Sequence, residues 1–241
     1  MAGAEPGAWV QPDTVRRRSF VYRRLRERGA RFMALHDGAV AADFGGAIEA
    51  EVERARDLAL VDLSPLPRTG FKGAGTIDWL AEQGLAIGAD SNRAYPQADG
   101  ALAARLSPGE ILLLDGLAGA GALVTRLEGA WRWGEERPRR PIGYPVPRAD
   151  SHCWFAVSGV QAPTMFAKIC GVDLRPRKFS EGAIAQTSVA KMSAIFIRAP
   201  GAAVPLYHLL ADSASAEYLW DCVLDAMAEF GGAPAGWTAL R

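Results

Sequence analysis

A proline-rich stretch in the middle of the chain limits where regular structure can form. Residues 137–147 contain four prolines in eleven positions, Pro138, Pro141, Pro145 and Pro147. Proline has a fixed φ and no backbone N–H, so helix interiors and central strands exclude such a run. We therefore predict a linker over 137–147 that joins two subdomains, 16–136 and 148–241.

Short apolar runs alternate with amphipathic helical segments on both sides of this linker. The run 58–63 is bounded by Ser64 and Pro65, which is typical of a buried strand. Further strands are predicted at 102–106, 111–114, 153–157, 184–190, 194–198 and 206–210. Helices are predicted at 16–31, 49–57, 77–83, 119–128, 162–169 and 214–230. Strands and helices interleaved in both halves indicate an α+β protein.

The N-terminal part of the chain divides into two segments of different character. Residues 1–15 contain glycine and proline without periodicity, so we predict a flexible tail. Residues 16–31 contain eight arginines around a few apolar positions, which predicts a short amphipathic helix closed by Gly29. Together with the linker, this basic helix is a candidate partner surface, with Arg16, Arg17, Arg23 and Arg24 as its contact residues.

The overall charge and the apolar runs exclude two classes of partner. The 27 basic residues are balanced by 27 acidic ones, which removes the electrostatic signature of a dedicated nucleic-acid or anionic-membrane binder. No apolar run approaches the roughly 20 residues that a spanning helix needs. We predict no nucleic-acid partner, no membrane and a cytoplasmic location.

The cysteines and histidines give no pattern for a disulfide framework or a metal site. Three cysteines, Cys153, Cys170 and Cys222, are an odd number without a close pair. The three histidines are widely separated and have no cysteine or histidine at ligand spacing. We predict no metal and a reducing compartment. The adjacent His152 and Cys153 would point to opposite faces of a strand, so they cannot act together as base and nucleophile.

Several segments occur in an order and spacing that resemble one family. They are residues 18–22 with 29–32, 51–64, 70–80, 153–166 and 216–236. The series resembles the aminomethyltransferase family, the folate-dependent T-protein of the glycine cleavage system. Residues 185–190 and 218–220 are more similar to a relative of that family, the gamma subunit of heterotetrameric sarcosine oxidase. The resemblance spans 16–241 and implies a folate-binding fold of two packed mixed subdomains, without the family's C-terminal β-rich domain.

Two segments depart from the family pattern at positions that handle folate. The family's G-G-x-x-D-D strand corresponds here to residues 99–105, where the paired aspartates are missing. Its Y-T-G-E-x-G-F-E segment corresponds to residues 200–208, which lack the glutamate. The resemblance therefore implies a non-catalytic, gamma-type subunit of a sarcosine oxidase-like N-demethylating complex in tetrahydrofolate-linked one-carbon metabolism. Its partners would be flavoprotein subunits, and tetrahydrofolate is a possible cofactor that this chain would not hold tightly.

An alternative is a free-standing tetrahydrofolate-binding aminomethyl or methyl transferase, which leaves open whether the chain is itself an enzyme. In that case Asp99, the only carboxylate near the segment that matches the active strand, would replace the lost general base. Tyr95, Tyr207 and Arg241 would contact the pterin or the amine. A third hypothesis is a small-molecule or RNA-binding module without a role in one-carbon metabolism.

Overall fold

The computed structural model describes residues 7–118, 121–131 and 143–241. The helices of this part of the chain are α1 Tyr22–Glu27, α2 Ile48–Asp57, α3 Thr76–Glu82, α4 Ala122–Ala130, α5 Ala162–Phe166 and α6 Ala216–Ala228. The first strands are β1 Arg31–Leu35, β2 Gly38–Asp43, β3 Ala59–Asp62, β4 Arg68–Lys72, β5 Arg93–Pro96, β6 Leu102–Ser107 and β7 Glu110–Leu114. The later strands are β8 Tyr144–Pro145, β9 His152–Ser158, β10 Ile184–Val189, β11 Met192–Arg198, β12 Leu206–Asp212 and β13 Ala233–Pro234. Short 3-10 helices occur at Pro12–Thr14, Ser213–Ser215 and Trp237–Leu240.

The strands form one large sheet, one medium sheet and one hairpin. The six-stranded sheet has the order β10-β11-β12-β9-β3-β13, and the five-stranded sheet has the order β5-β6-β7-β4-β8. Neighbouring strands run antiparallel except for β13, which is parallel to β3. Strands β1 and β2 form a separate two-stranded antiparallel sheet. The α+β class predicted from the sequence is confirmed.

The two larger sheets pack face to face, and helices cover their outer faces. Alternate residues of a strand point to opposite sides, so Leu210 of β12 and Leu112 of β7 meet in the core between the sheets. Leu209, the neighbour of Leu210, packs instead against Trp220 of α6. On the far side of the five-stranded sheet, residues of β7 pack against Leu80 of α3 and against residues of α4. The order of layers is helices, sheet, sheet, helices.

Strand β3 lies inside the six-stranded sheet and is buried on both faces, with Asp62 as its one charged residue. Leu58 and Leu60 pack on the helical side, whereas Val61 and Leu63 face the other sheet, and all four are fully buried. Burial of one such side chain contributes about 1.5–3 kcal/mol relative to exposure. This two-sided burial explains why five of the six residues in the run 58–63 are apolar, and the predicted strand is confirmed.

The residues that precede α1 are more extended and better paired than the sequence predicts. The backbone N–H groups of Gly7 and Val10 donate to carbonyl groups of β1 at 3.0 and 2.9 Å. Residues 7–15, part of the predicted flexible tail, thus include a segment that is hydrogen-bonded to β1. The backbone N–H of Arg17 donates to the Asp37 carbonyl at 2.9 Å, which holds it beside β2. For this reason the helix begins at Tyr22 and not at Arg16 as predicted.

Only the end of the predicted linker, from residue 143 onward, falls within the described residues. Residues 137–142 lie outside the described residues, and Tyr144–Pro145 form the short strand β8 beside β4. The six-stranded sheet takes β3 from the first predicted subdomain and β9 from the second.

Within the described ranges, no helix is long and apolar enough to cross a membrane.

Candidate functional site

A cavity of about 390 Å³ opens where the six-stranded sheet meets the start of β6. Its walls come from α2, the ends of β9 and β12, the loop 199–204 and the C-terminal residues 239–241. Side chains such as those of Val52, Leu102 and Leu206 make the walls largely apolar. A cavity of this size and lining is typical of small-molecule sites.

Four polar side chains reach this cavity, namely those of Arg56, Ser158, His208 and Arg241. Among the described residues that line it, none has a carboxylate side chain. The lining side chains therefore offer hydrogen-bond donors and positive charge but no anionic group.

His208 and Ser158 are the two buried residues among these four. His208 lies on β12 and is 3% exposed, with its side chain on the face that is turned toward the other sheet. The indole N–H of Trp154 on β9 donates to His208 Nδ1 at 3.1 Å. Burial lowers the pKa of His208 to about 4, so the imidazole is neutral at pH 7.

The remaining polar side chains of the cavity are held by other contacts. The Ser158 hydroxyl donates to the Ala55 carbonyl at 2.7 Å, so its proton is already engaged. Arg56 is exposed and forms an ion pair with Glu53 at 3.1 Å. The Arg241 guanidinium lies 4.5 Å from the ring centroid of Trp237. The two guanidinium groups thus lie on the solvent side of the cavity and His208 lies inside.

A buried carboxylate fixes the C-terminal wall of the cavity. Glu51 of α2 is 3% exposed and accepts two backbone hydrogen bonds, from Phe44 at 2.7 Å and from Gly236 at 2.6 Å. The Thr238 hydroxyl donates to the Ala42 carbonyl at 2.6 Å. A Cβ at Gly236 would collide with that same carbonyl, which explains the glycine. These contacts place residues 239–241 along the cavity.

Two of the site residues predicted from the sequence lie in the β5–β6 hairpin, outside the cavity lining. Asp99 is exposed in the turn, and its Oδ1 accepts from the Ala101 backbone N–H at 3.1 Å. Its neighbour Gly100 lines the cavity. The Tyr95 hydroxyl donates to the Asp90 carbonyl at 2.9 Å and accepts from the N–H of the same residue at 3.0 Å. The structure therefore brings Asp99 near the cavity edge and engages Tyr95 in a local loop contact.

The other two predicted residues have opposite placements. Arg241 lines the cavity. Tyr207 is fully buried on the helical side of the six-stranded sheet, where its hydroxyl donates to the Leu174 carbonyl at 2.7 Å. Burial raises the pKa of Tyr207 to about 12. Because side chains alternate along β12, the next residue, His208, faces the cavity in its place.

The cavity residue His208 is missing from the prediction, although the sequence contains a signal for it. In the apolar strand 206–210, positions 206, 208 and 210 share one face, and two of them are leucine. A histidine between two core-facing leucines indicates a buried polar group that needs a partner.

A second histidine, His152, lies away from the cavity, and both of its ring nitrogens have hydrogen-bond partners. The Arg148 guanidinium lies 3.2 Å from His152 Nε2, and Ser151 Oγ lies 2.8 Å from Nδ1. Arginine can only donate, so the ring proton is on Nδ1 and is directed at Ser151. Burial and the charge of Arg148 lower the pKa of His152 to about 4, whereas burial raises that of Cys153 to about 12. Cys153 packs in the core on the helical side of the sheet, whereas the His152 ring contacts Arg148 and Ser151, in agreement with the opposite faces predicted for the pair.

Two of the four arginines predicted to contact partners are already paired within the chain. Arg17 forms ion pairs with Asp37 and Asp150, and Arg24 forms one with Asp221 at 3.1 Å. Arg16 and Arg23 are exposed, and no ion pair to either is found in the described part of the chain. In the same residues, no group of three acidic, histidine or cysteine side chains is placed to hold a metal.

Solved structures of known proteins share this fold. A chain of the heterotetrameric sarcosine oxidase from Corynebacterium sp. U-96, in complex with pyrrole 2-carboxylate, is 23% identical with a TM-score of 0.59, over 75% of this chain and 91% of that one. The glycine cleavage system aminomethyltransferase T from Bartonella henselae is 14% identical with a TM-score of 0.68, over 92% of this chain and 60% of that one. No protein-family model and no curated protein sequence matches the chain. The aminomethyltransferase-like fold that the sequence segments predict is confirmed.

Proposed function

We propose that this chain is a non-catalytic, gamma-type subunit of a sarcosine oxidase-like N-demethylating complex, in the tetrahydrofolate-linked one-carbon metabolism of the cytoplasm. The observation that carries the proposal is the cavity lining, whose polar side chains in the described residues belong to two arginines, a serine and a histidine, with no carboxylate side chain. The fold supplies the wider context, because similar folds occur in a sarcosine oxidase and in an aminomethyltransferase.

The chemistry of one-carbon transfer explains why the missing carboxylate matters. Transfer to or from an amine needs a group that accepts its proton. The lining side chains offer an imidazole whose acceptor nitrogen is engaged by Trp154, a hydroxyl that already donates, and two guanidinium groups. The amino and ring N–H groups of a pterin also need acceptors. Each buried donor left without one costs about 1–3 kcal/mol, which weakens binding roughly 5- to 150-fold. Weak binding of folate and no transfer are therefore expected of this chain alone.

In the proposed complex, flavoprotein partner subunits oxidise the N-methyl amine, and the one-carbon unit passes to tetrahydrofolate elsewhere in the assembly. The support for this arrangement is the similarity to a chain of a heterotetrameric sarcosine oxidase. Exposed basic side chains that are free of ion pairs suit a docking surface, and Arg16 and Arg23 meet this condition in the described part of the chain.

Co-purification tests the assembly. The tagged chain is expressed in its native host and purified by affinity chromatography. It should elute together with subunits that show flavin absorbance and oxidise an N-methyl amine. The double variant Arg16→Glu/Arg23→Glu should lose these subunits, whereas Arg126→Glu, an exposed arginine on α4, should retain them. A chain that elutes alone and ignores flavoprotein subunits contradicts the proposal.

Calorimetric titration with a reduced folate, under anaerobic and reducing conditions, tests the role of the cavity. No saturation at micromolar concentrations supports the non-catalytic subunit. Saturable micromolar binding instead supports the alternative, a free-standing tetrahydrofolate-binding transferase.

The position of Asp99 favours that alternative, because it adjoins Gly100 at the cavity edge. Asp99→Asn is a sharp test, since asparagine keeps the Oδ1 acceptor for the Ala101 N–H and removes only the negative charge. A transferase that uses Asp99 as its base would lose activity in this variant. Tyr207→Phe is the matched control, because the Tyr207 hydroxyl is engaged by Leu174 on the other face of the sheet. Equal folate binding and equal rates in both variants would refute the alternative.

A further inference from the structure

The inner wall of the cavity carries the imidazole of His208, and within the described residues only one of its two ring nitrogens has a hydrogen-bond partner. We propose that the cavity is a binding site for an apolar or aromatic carboxylate that bears a carbonyl acceptor, and that the Nε2–H of His208 donates to this acceptor. Arg56 and Arg241 then face the carboxylate from the solvent side. The inference goes beyond the proposed function, because it assigns a ligand class to a subunit that performs no catalysis.

The tautomer of His208 follows from its neighbour. The indole N–H of Trp154 can only donate, so Nδ1 of His208 must present a lone pair to it. A neutral imidazole then carries its one proton on Nε2. Trp154 is fully buried between neighbouring strands, so this partner cannot be exchanged for water. The protein thereby fixes a donor and not an acceptor on the cavity side of the ring.

The Nε2 donor is available to a ligand. His208 lines the cavity, and no hydrogen bond found in the described residues uses Nε2. The Ser158 hydroxyl is not an alternative donor to the ligand, because its proton is already donated to the Ala55 carbonyl. A ligand acceptor placed against His208 would satisfy a group that otherwise faces an apolar wall, which favours binding.

The same arrangement rejects ammonium groups. An N-methyl ammonium in this cavity would meet the Arg241 guanidinium and the Nε2–H of His208, and no described lining residue has a carboxylate side chain to neutralise it. The charge of Arg56 is already paired with Glu53. Uncompensated charge in an apolar cavity is strongly unfavourable. The cavity therefore separates an N-acyl glycine, whose nitrogen is neutral, from an N-alkyl glycine, whose nitrogen is charged.

The first experiment reads the tautomer directly by long-range ¹H–¹⁵N NMR of the ¹⁵N-histidine-labelled chain at pH 7. The chain has three histidines, so His36→Asn and His152→Gln assign every signal. We expect His208 in the Nε2–H form and His152 in the Nδ1–H form. An Nδ1–H or an imidazolium signal for His208 overturns the inference, with or without a ligand.

The second experiment uses a matched pair of probes, N-benzoylglycine and N-benzylglycine, which differ only in a carbonyl replaced by CH₂. For N-benzoylglycine, with roughly 13 non-hydrogen atoms, we expect a Kd on the order of 1 mM and a shift of the His208 Nε2–H signal. N-benzylglycine should bind at least about tenfold more weakly, because one hydrogen bond is lost and one charge is added. Equal affinities, or no shift of His208, overturn the inference.

Variants complete the test. His208→Met removes the donor and should weaken N-benzoylglycine binding about tenfold, whereas His208→Gln carries an amide N–H and should recover most of it. Trp154→Phe/His208→Met removes the indole donor together with its acceptor, so it replaces the single variant if that one does not fold. His36→Asn, outside the cavity lining, should bind normally. The proposed function is tested separately by flavoprotein co-purification and reduced folate, so either can fail without the other.

Discussion

The buried carboxylate of Glu51 should contribute more to stability than any surface acid of the same helix. Its two oxygens each accept one backbone N–H, from Phe44 at 2.7 Å and from Gly236 at 2.6 Å. Glu51→Gln keeps one acceptor oxygen and turns an amide NH₂ toward the other N–H. One charge-assisted hydrogen bond, worth about 1.5–3 kcal/mol, is lost and a buried donor is left unpaired. We expect the free energy of unfolding to fall by about 2–4 kcal/mol.

The matched control is Glu53→Gln, two residues along α2. The Glu53 side chain is 74% exposed, and its ion pair with Arg56 is on the surface, so its loss should change stability by less than about 0.5 kcal/mol. Urea denaturation followed by circular dichroism measures both variants. For a chain of this size, a loss of about 3 kcal/mol lowers Tm by roughly 6–12 °C. If the two variants differ by less than about 0.5 kcal/mol, the reasoning about Glu51 is refuted.

Three further predictions follow from burial and backbone geometry. Burial holds the pKa of His208 at about 4, below the unfolded value of about 6.5, so the unfolded chain binds an extra proton between these values; stability should fall on acidification through this window, and by less in His208→Gln. Denaturation from pH 7 to 5 compares the two, and parallel curves would contradict it. Gly159→Ala should destabilise strongly, because φ is +120° and a Cβ would collide with the Asp57 carbonyl, whereas Gly45→Ala, at φ +79° with open space, should cost only about 1–2 kcal/mol; similar losses would show the collision to be absent. Ellman's reagent should titrate Cys222 alone in the native chain and all three thiols in denaturant, because Cys153 and Cys170 are buried and the pKa of Cys153 is raised to about 12; rapid native reaction of Cys153 would refute this.

Local patterns predicted the elements well where burial is two-sided or strictly periodic. The run 58–63 gave β3, and the segment 214–230 gave α6 with small changes at its ends. The pattern failed where charge density suggested a helix, because the arginines of 16–20 do not reveal that the Arg17 backbone pairs with the loop before β2. That pairing is a tertiary contact, and it overrides local helix propensity.

The cavity could be predicted only in part, because its polar groups depend on which face of a strand is turned inward. Tyr207 and His208 are adjacent on β12, and the sequence pointed to the tyrosine. Both faces of this strand are buried, so periodicity alone cannot tell the helical side from the side of the second sheet. Arg241 is among the predicted contact residues and does line the cavity. The hydrogen bond between Glu51 and Gly236 that helps to place it joins residues far apart in sequence, so local patterns do not reveal it.

Because β3 lies between β9 and β13, it cannot complete its pairing during synthesis until both of these later strands have been made. Its antiparallel partner, His152–Ser158, follows about 90 residues later, and its parallel partner, Ala233–Pro234, about 170 residues later. At about 5–20 residues per second, a ribosome needs roughly 10–35 s to supply the last strand. Until β9 has been made both edges of β3 are unpaired, and from then until β13 appears one edge remains unpaired. A largely apolar strand with an unpaired edge is the kind of segment that associates with other chains. We therefore expect the nascent N-terminal half to bind chaperones that recognise extended apolar segments. The six-stranded sheet should be completed only after β13 has left the ribosome.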